Sequence, residues 1–154
     1  MDNRSIAQTF AQMADLLEIK GENAFKIRAY RSAGEVLWNW PDALTTLDER
    51  QLREIPGIGK DLAARIRELS DTGTCAPLQE LLAEFPASML ELLKLQGIGP
   101  KTVVLLRDTL GVVSVEDLAA AARAGRVRGI KGMGAKKEAL ILTAIEDRAK
   151  DHGR

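Results

Sequence analysis

Histidine and cysteine are almost missing from this chain. His152 is the one histidine and Cys75 the one cysteine among 154 residues. A single thiol excludes an internal disulfide and fits a reducing cytoplasm. One histidine, placed at the tail where it reads as a solvated terminal residue, excludes a His/Cys metal cluster and any Ser-His-Asp or Cys-His triad. Aromatic residues make up 4%, so the core falls to Leu, Ile, Ala and Val. No apolar run is long enough to span a bilayer, and the opening MDNRSIAQTF lacks the basic-then-apolar order of a secretory leader.

Net charge is also absent: 22 Lys and Arg balance 22 Asp and Glu. The distribution is uneven, however. Up to residue 100 there are 11 basic and 15 acidic side chains; from residue 101 on there are 11 and 7. Arg123, Arg126, Arg128, Lys131, Lys136 and Lys137 follow one another with no acid between them. Such a cluster is either a solvated helix face or a patch that faces phosphate.

Helical periodicity dominates what is present. Ile6, Phe10, Met13 and Leu17 set the inner stripe of a helix over 5–19, broken by Gly21. A second helix is expected over 24–38, with Phe25, Ile27, Tyr30, Gly34 and Leu37 inward and Pro41 beyond it. Thr46 and Glu49 have the capping-box spacing for a helix that ends before Pro56. Further helices are expected over 60–70, 77–85, 88–95, 102–110, 119–124 and 135–150, with Ser114 to Asp117 as a second capping pattern. Only the short 111–115 stretch has any claim to an extended strand. The fold class is therefore all-α, a bundle of short helices, with a small first domain over 1–85 and a second over 86–154.

One pattern occurs three times. LREIPGIGKDLAARI (Leu52–Ile66), LLKLQGIGPKTVVLL (Leu92–Leu106) and VRGIKGMGAKKEALI (Val127–Ile141) each place an apolar residue two positions before a Gly-apolar-Gly triplet. The triplets are Gly57-Ile58-Gly59, Gly97-Ile98-Gly99 and Gly132-Met133-Gly134. The middle apolar residue is expected to tuck between two helices, and the glycines to permit a sharp turn or a close approach to the backbone. The helix that follows begins with unpaired N–H groups, and these with the helix dipole suit an anion such as a phosphodiester. Other glycine loops fail on spacing. The third glycine of a dinucleotide fingerprint is replaced by Leu62, Thr102 and Lys137, and Lys94 stands where a phosphate loop before Gly99-Pro100-Lys101-Thr102 needs glycine.

The repeated unit resembles the helix-hairpin-helix motif. The order GENAFKIRAYRSAGEVL, IPGIGKDLAARI, LQGIGPKTVVLL and IKGMGAKKEALIL is similar, over essentially the whole chain, to the N-terminal region of bacterial family X DNA polymerases of the PolX type. It is also similar to the small lyase domain and adjoining DNA-binding subdomain of DNA polymerase beta. The resemblance implies non-sequence-specific binding of the DNA backbone at gaps or nicks in repair. It implies backbone contacts at Gly57, Ile58, Gly59 and Lys60, at Gly97, Ile98, Gly99 and Lys101, and at Gly132, Gly134 and Lys136. Lys26 and Tyr30 match the family's 5′-phosphate holders and, four residues apart, share a helix face; Tyr30 reads equally well as a half-buried core residue. No cofactor is expected in this chain beyond a monovalent cation at the hairpin carbonyls, with Mg2+ belonging to the polymerase portion.

The family's chemistry is where the sequence departs. The lysine that attacks an abasic sugar is replaced by Arg65, a poor amine nucleophile, and a second basic position is Asp61, with Lys60 one residue away. Glu116-Asp117 and Glu146-Asp147 read as capping or surface charge rather than a two-metal site, and no other residue is singled out as catalytic. The family's palm, thumb and phosphoesterase domains would follow near Arg154, so a polymerase cut short there is the simplest expectation and a separately encoded DNA-binding protein the other. Two further functions stay open: an abasic-site lyase, and a helical protein-interaction module whose hairpins only shape the scaffold.

Overall fold

Asp2 starts the chain's first helix, its carboxylate accepting a hydrogen bond from the Ser5 amide at 2.7 Å. The computed structural model describes residues 1–152, with side chains described through Lys150. Two units divide the chain, Met1–Glu84 and Phe85–Arg154. Among the described residues every regular element is helical.

In the first unit, α1 (Asn3–Lys20) and α2 (Ala24–Trp38) form the main pair. α1 ends in a Schellman turn: Gly21 is left-handed at φ 80°, and the Glu22 amide reaches the Leu17 carbonyl at 3.0 Å. Ile6, Phe10, Met13 and Leu17 are all buried, as their spacing requires; each such side chain contributes roughly 1.5–3 kcal/mol on burial. α2 presses closely on α1 because position 34 is glycine. A Cβ there would stand 3.2 Å from the Ala7 carbonyl oxygen. The Phe10 and Tyr30 rings meet edge to face, 5.4 Å between centroids.

The chain leaving α2 is tied back by Asn3. Its amide donates to the carbonyls of Trp40 (3.1 Å) and Asp42 (2.7 Å) and accepts from Leu44 N–H at 2.9 Å. A 3-10 turn (Leu44–Thr46) and the short α3 (Glu49–Leu52) follow, then α4 (Lys60–Thr72) and α5 (Ala76–Glu84). Arg67 on α4 holds the 3-10 segment through the Thr45 and Leu47 carbonyls, each at 3.0 Å.

In the second unit, α6 (Ser88–Leu93), α7 (Pro100–Leu110), α8 (Val115–Arg123) and α9 (Gly134–His152) surround Met89, Leu92, Val103, Leu106, Leu118 and Val127, each 2% exposed or less. Ser114 caps α8 by accepting from Asp117 N–H at 3.0 Å, and the Asp117 carboxylate accepts from Val113 N–H at 3.1 Å. Arg148 on α9 pairs with Glu91 on α6. The side chain of His152, expected to be solvated, lies outside the described ones.

Three expectations are corrected. The capping box that starts α3 is Asp48 with Gln51, not Thr46 with Glu49: Gln51 N–H donates to Asp48 at 2.8 Å and Asp48 N–H to Gln51 at 3.0 Å. Thr46 instead bonds back to the Ala43 carbonyl within the 3-10 turn. Phe25 does not face inward; it is 76% exposed. The buried stripe of α2 runs Tyr30, Ala33, Gly34, Leu37, and Phe25, five residues before Tyr30, falls off it by more than a third of a turn. The 111–115 stretch forms no strand. Gly111 closes α7 at φ 71°, and residues 112–114 lead into the α8 cap.

Candidate functional site

The three Gly-apolar-Gly segments make the same turn. Ile58 N–H donates to the Ile55 carbonyl at 3.0 Å, Ile98 N–H to Leu95 at 3.1 Å, and Met133 N–H to Ile130 at 3.0 Å. The third residue of each turn is the first glycine, and it is left-handed every time: φ 86° at Gly57, 84° at Gly97 and 88° at Gly132. A turn that needs positive φ there selects glycine, and in the first copy Pro56 occupies the position before it that proline favours.

The second glycines part company. Gly59 and Gly99 are extended, at φ −90° and −107°, and serve as N-caps of α4 and α7. Gly134 is left-handed again at φ 74° and is itself the first residue of α9. Burial follows the same division. Ile58 and Ile98 are 4% and 6% exposed, tucked as expected, whereas Met133 is only half-buried. The third segment therefore shares the turn of the first two but not their entry into the following helix.

Neither steric clash nor backbone strain asks for glycine at positions 59 and 99. Extended backbone suits any residue, and a Cβ at either would meet nothing within 4 Å. Both positions also forgo a cap. α1, α2, α3 and α8 start with Asp2, Asn23, Asp48 and Ser114, each accepting a backbone N–H. α4 and α7 have no side-chain cap, and α6 begins without one as well. The Lys60, Asp61 and Leu62 amides, and those of Lys101 and Thr102, thus start their helices without an intrahelical acceptor. Lys60 and Lys101 are exposed beside them.

Of the pair expected to hold a 5′-phosphate, Lys26 is exposed and Tyr30 is 6% exposed. Burial of Tyr30 pushes its phenol above the usual range. The Cys75 thiol and the charges of Arg65, Asp61 and Glu68 also act on the hydroxyl. Arg65 pairs with Glu68 at 3.0 Å, and its Nε is buried without a partner among the described residues. Phe25, next to Lys26, is stacked by the Arg28 guanidinium at 5.6 Å from the ring centroid. Helical spacing alone did not mark it; its exposure did.

The basic cluster of the second unit is mostly free. Arg128 is the exception: Glu138, 2% exposed, accepts from the Arg128 amide at 2.8 Å, from Nε at 2.9 Å and from the guanidinium NH2 group at 2.8 Å. These bonds hold the Glu138 carboxyl below the usual carboxylate range and tie α9 to the third turn. Arg123, Arg126, Lys131, Lys136 and Lys137 are exposed and form no ion pair among the described residues. No cluster of three or more His, Cys, Asp or Glu that could hold a metal occurs among the described residues, and no helix there is long and apolar enough to cross a membrane.

Residues 1–75 match the helix-hairpin-helix domain family, and residues 89–147 match the SAM-like helix-hairpin-helix tandem. Both stretches are thus similar to helix-hairpin-helix domains. Along its full length it is related to the N-terminal region of the family X polymerases. All 154 residues are 34% identical to the N-terminal part of the Bacillus subtilis (strain 168) DNA polymerase/3'-5' exonuclease PolX, covering 27% of that protein. A stretch of 117 residues, 75% of the chain, is 27% identical to DNA polymerase lambda of Arabidopsis thaliana, covering 21% of it. The chain thus spans about a quarter of the curated relatives it matches.

Proposed function

We propose that the chain binds the sugar-phosphate backbone of DNA without reading sequence, at gaps or nicks, as the N-terminal region of a family X repair polymerase in the bacterial cytoplasm, at the nucleoid. The observation that carries this reading is the pair Gly59 and Gly99. Neither is required by a steric clash or a left-handed backbone, and each opens a helix without a side-chain cap. A phosphate lying against the backbone supplies the reason: it accepts from the free amides, gains from the helix dipole, and leaves no room for a side chain. Gly57, Ile58, Gly59 and Lys60 make the first grip, and Gly97, Ile98, Gly99 and Lys101 the second. Gly132, Gly134 and Lys136 form a third contact in which lysine charge takes over from aligned amides. A monovalent cation at the hairpin carbonyls fits the oxygen donors there, since the Ile55 and Leu95 carbonyls each keep a second lone pair.

Lys26 and the hydroxyl of Tyr30 hold the 5′-phosphate at the gap. Exposed Phe25 beside them offers a ring to a base left unstacked at that gap. Arg65 is no amine nucleophile, because its guanidinium stays protonated, and its charge is paired with Glu68. The testing experiment is an anisotropy titration with a 5′-phosphorylated one-nucleotide gap, the same gap without phosphate, and intact duplex. Binding strongest to the first and weakening steeply with salt is expected. Equal binding to all three would remove the end-recognition part.

A further inference from the structure

A cleft of about 180 Å³ lies between the tip of the second hairpin, at Gln96, Gly97 and Ile98, and the start of α9, at Met133, Lys137 and Leu140. A second hollow of about 280 Å³ continues it past Leu140 toward Asp147. Leu140 is 59% exposed, the most exposed leucine among the described residues. Its position is not accidental. Lys137, Leu140 and Ala144 recur at helical spacing on one face of α9, with Met133 in the turn just before it, while Glu138, Ile141 and Ile145 are buried.

Lys137 is the charged residue that lines the cleft, Asp147 the one at the far end of the hollow beyond it, and two further lysines lie near the hairpin end. Lys136 lies one turn before Leu140 on the same helix, and Lys101 opens α7 beside the second hairpin. Lys101, Lys136 and Lys137 form no ion pair among the described residues. One wall of the cleft is Gly97, part of the turn whose neighbouring amides are assigned above to phosphate. A second copy of this chain would bring identical lysines together, a like-charge contact. A nucleic-acid strand does the opposite: its phosphates meet the lysines, and the carbon edge of its sugar offers an apolar surface to Leu140.

We propose that the Met133–Lys137–Leu140 strip is a contact line for a DNA strand. Leu140 packs against the sugar adjoining the phosphate held at Gly97–Lys101, and Lys136 and Lys137 sit over the next phosphates. This rests on the backbone-binding reading and adds to it an apolar, salt-independent component. It also gives the third hairpin a role suited to its altered entry, since the contact is made by side chains of α9 rather than by its first amides.

The test is a titration of the gapped, 5′-phosphorylated duplex with the full chain, Leu140→Ser and Lys137→Ala, repeated from 50 to 300 mM salt on the order of four steps. Leu140→Ser is expected to weaken binding about fivefold at every salt concentration with the log–log slope unchanged. Lys137→Ala is expected to reduce that slope by about 1. Leu140→Ala, with a thermal melt matching the unsubstituted chain, guards against a folding artefact and should repeat the loss. If both Leu140 variants bind as the unsubstituted chain does, the strip is not a strand contact, and the hairpin reading stands alone. If the unsubstituted chain binds no DNA, the underlying reading falls and this inference with it. A drop from dimer to monomer in sedimentation on Leu140→Ser would assign the strip to a second copy instead and overturn the proposal.

Discussion

Gly59 and Gly99 stand in the same backbone state, φ −90° with ψ −172° and φ −107° with ψ 177°, each as the uncapped first position before a helix. Two residues before them, Gly57 and Gly97 are held left-handed at 86° and 84°. The two glycines of each hairpin therefore have different causes. The first is demanded by the turn; the second meets no steric or left-handed requirement within the protein.

That difference predicts a stability contrast. Gly57→Ala and Gly97→Ala each force a Cβ into the left-handed region and should cost about 1–2 kcal/mol. Gly59→Ala and Gly99→Ala should stay within about 0.5 kcal/mol of the unsubstituted chain. The weaker N-cap propensity of alanine is offset by its smaller unfolded-state entropy. Urea unfolding of the four variants measures both classes in one experiment.

Phe25 supports a second prediction. At 76% exposure its removal should leave the melting temperature unchanged. Phe25→Ala should nevertheless weaken binding to a gapped duplex by roughly fivefold, a stacking contribution of about 1 kcal/mol, with little effect on intact duplex. Equal loss on both substrates would assign Phe25 to general backbone contact.

Most of the fold was legible because apolar residues recur at helical spacing and glycines close the helices; Gly21, Gly73 and Gly111 all do so in the structure. The α3 cap was misplaced because two capping patterns overlap within six residues. Asp48 with Gln51 prevails over Thr46 with Glu49, whose threonine is consumed by a 3-10 turn that no periodicity announces. Hydrophobicity alone puts Phe25 inward, whereas its angular position excludes it from the Tyr30–Leu37 stripe. The hairpin triplets were plain in the sequence. The different backbone state of Gly134 was not, because identical Gly-apolar-Gly spelling carries no φ. Nor was the Glu138–Arg128 pair, which brings together residues on opposite sides of that turn.

Glu138 gives a pH prediction whose sign is fixed. Its folded pKa lies below the ordinary glutamate value of 4.5, mainly through its bond from the Arg128 side chain. The stabilisation is therefore complete above about 4.5 and is lost as pH falls through the lower, folded value. Glu138→Gln should lower the melting temperature at pH 7, and the gap to the unsubstituted chain should narrow at acidic pH. A gap that widens on acidification would contradict the assigned pairing.

Arginine at position 65, in place of an amine nucleophile, predicts an absence of lyase chemistry. Borohydride treatment of the chain with DNA bearing a 5′ abasic sugar should trap no covalent adduct. A robust adduct that disappears in Lys60→Ala would show that the exposed neighbouring lysine reaches the sugar, and would restore the enzymatic reading.

The most direct measurement is the affinity of the Gly59→Ala/Gly99→Ala double variant for a 5′-phosphorylated one-nucleotide gap, with its thermal melt recorded in parallel. An intact fold should accompany a fall in affinity of roughly a hundredfold, as two helix starts lose close approach to phosphate at about 1.4 kcal/mol each. A double variant that folds and binds as tightly as the unsubstituted chain would contradict the claim that these hairpins grip the DNA backbone.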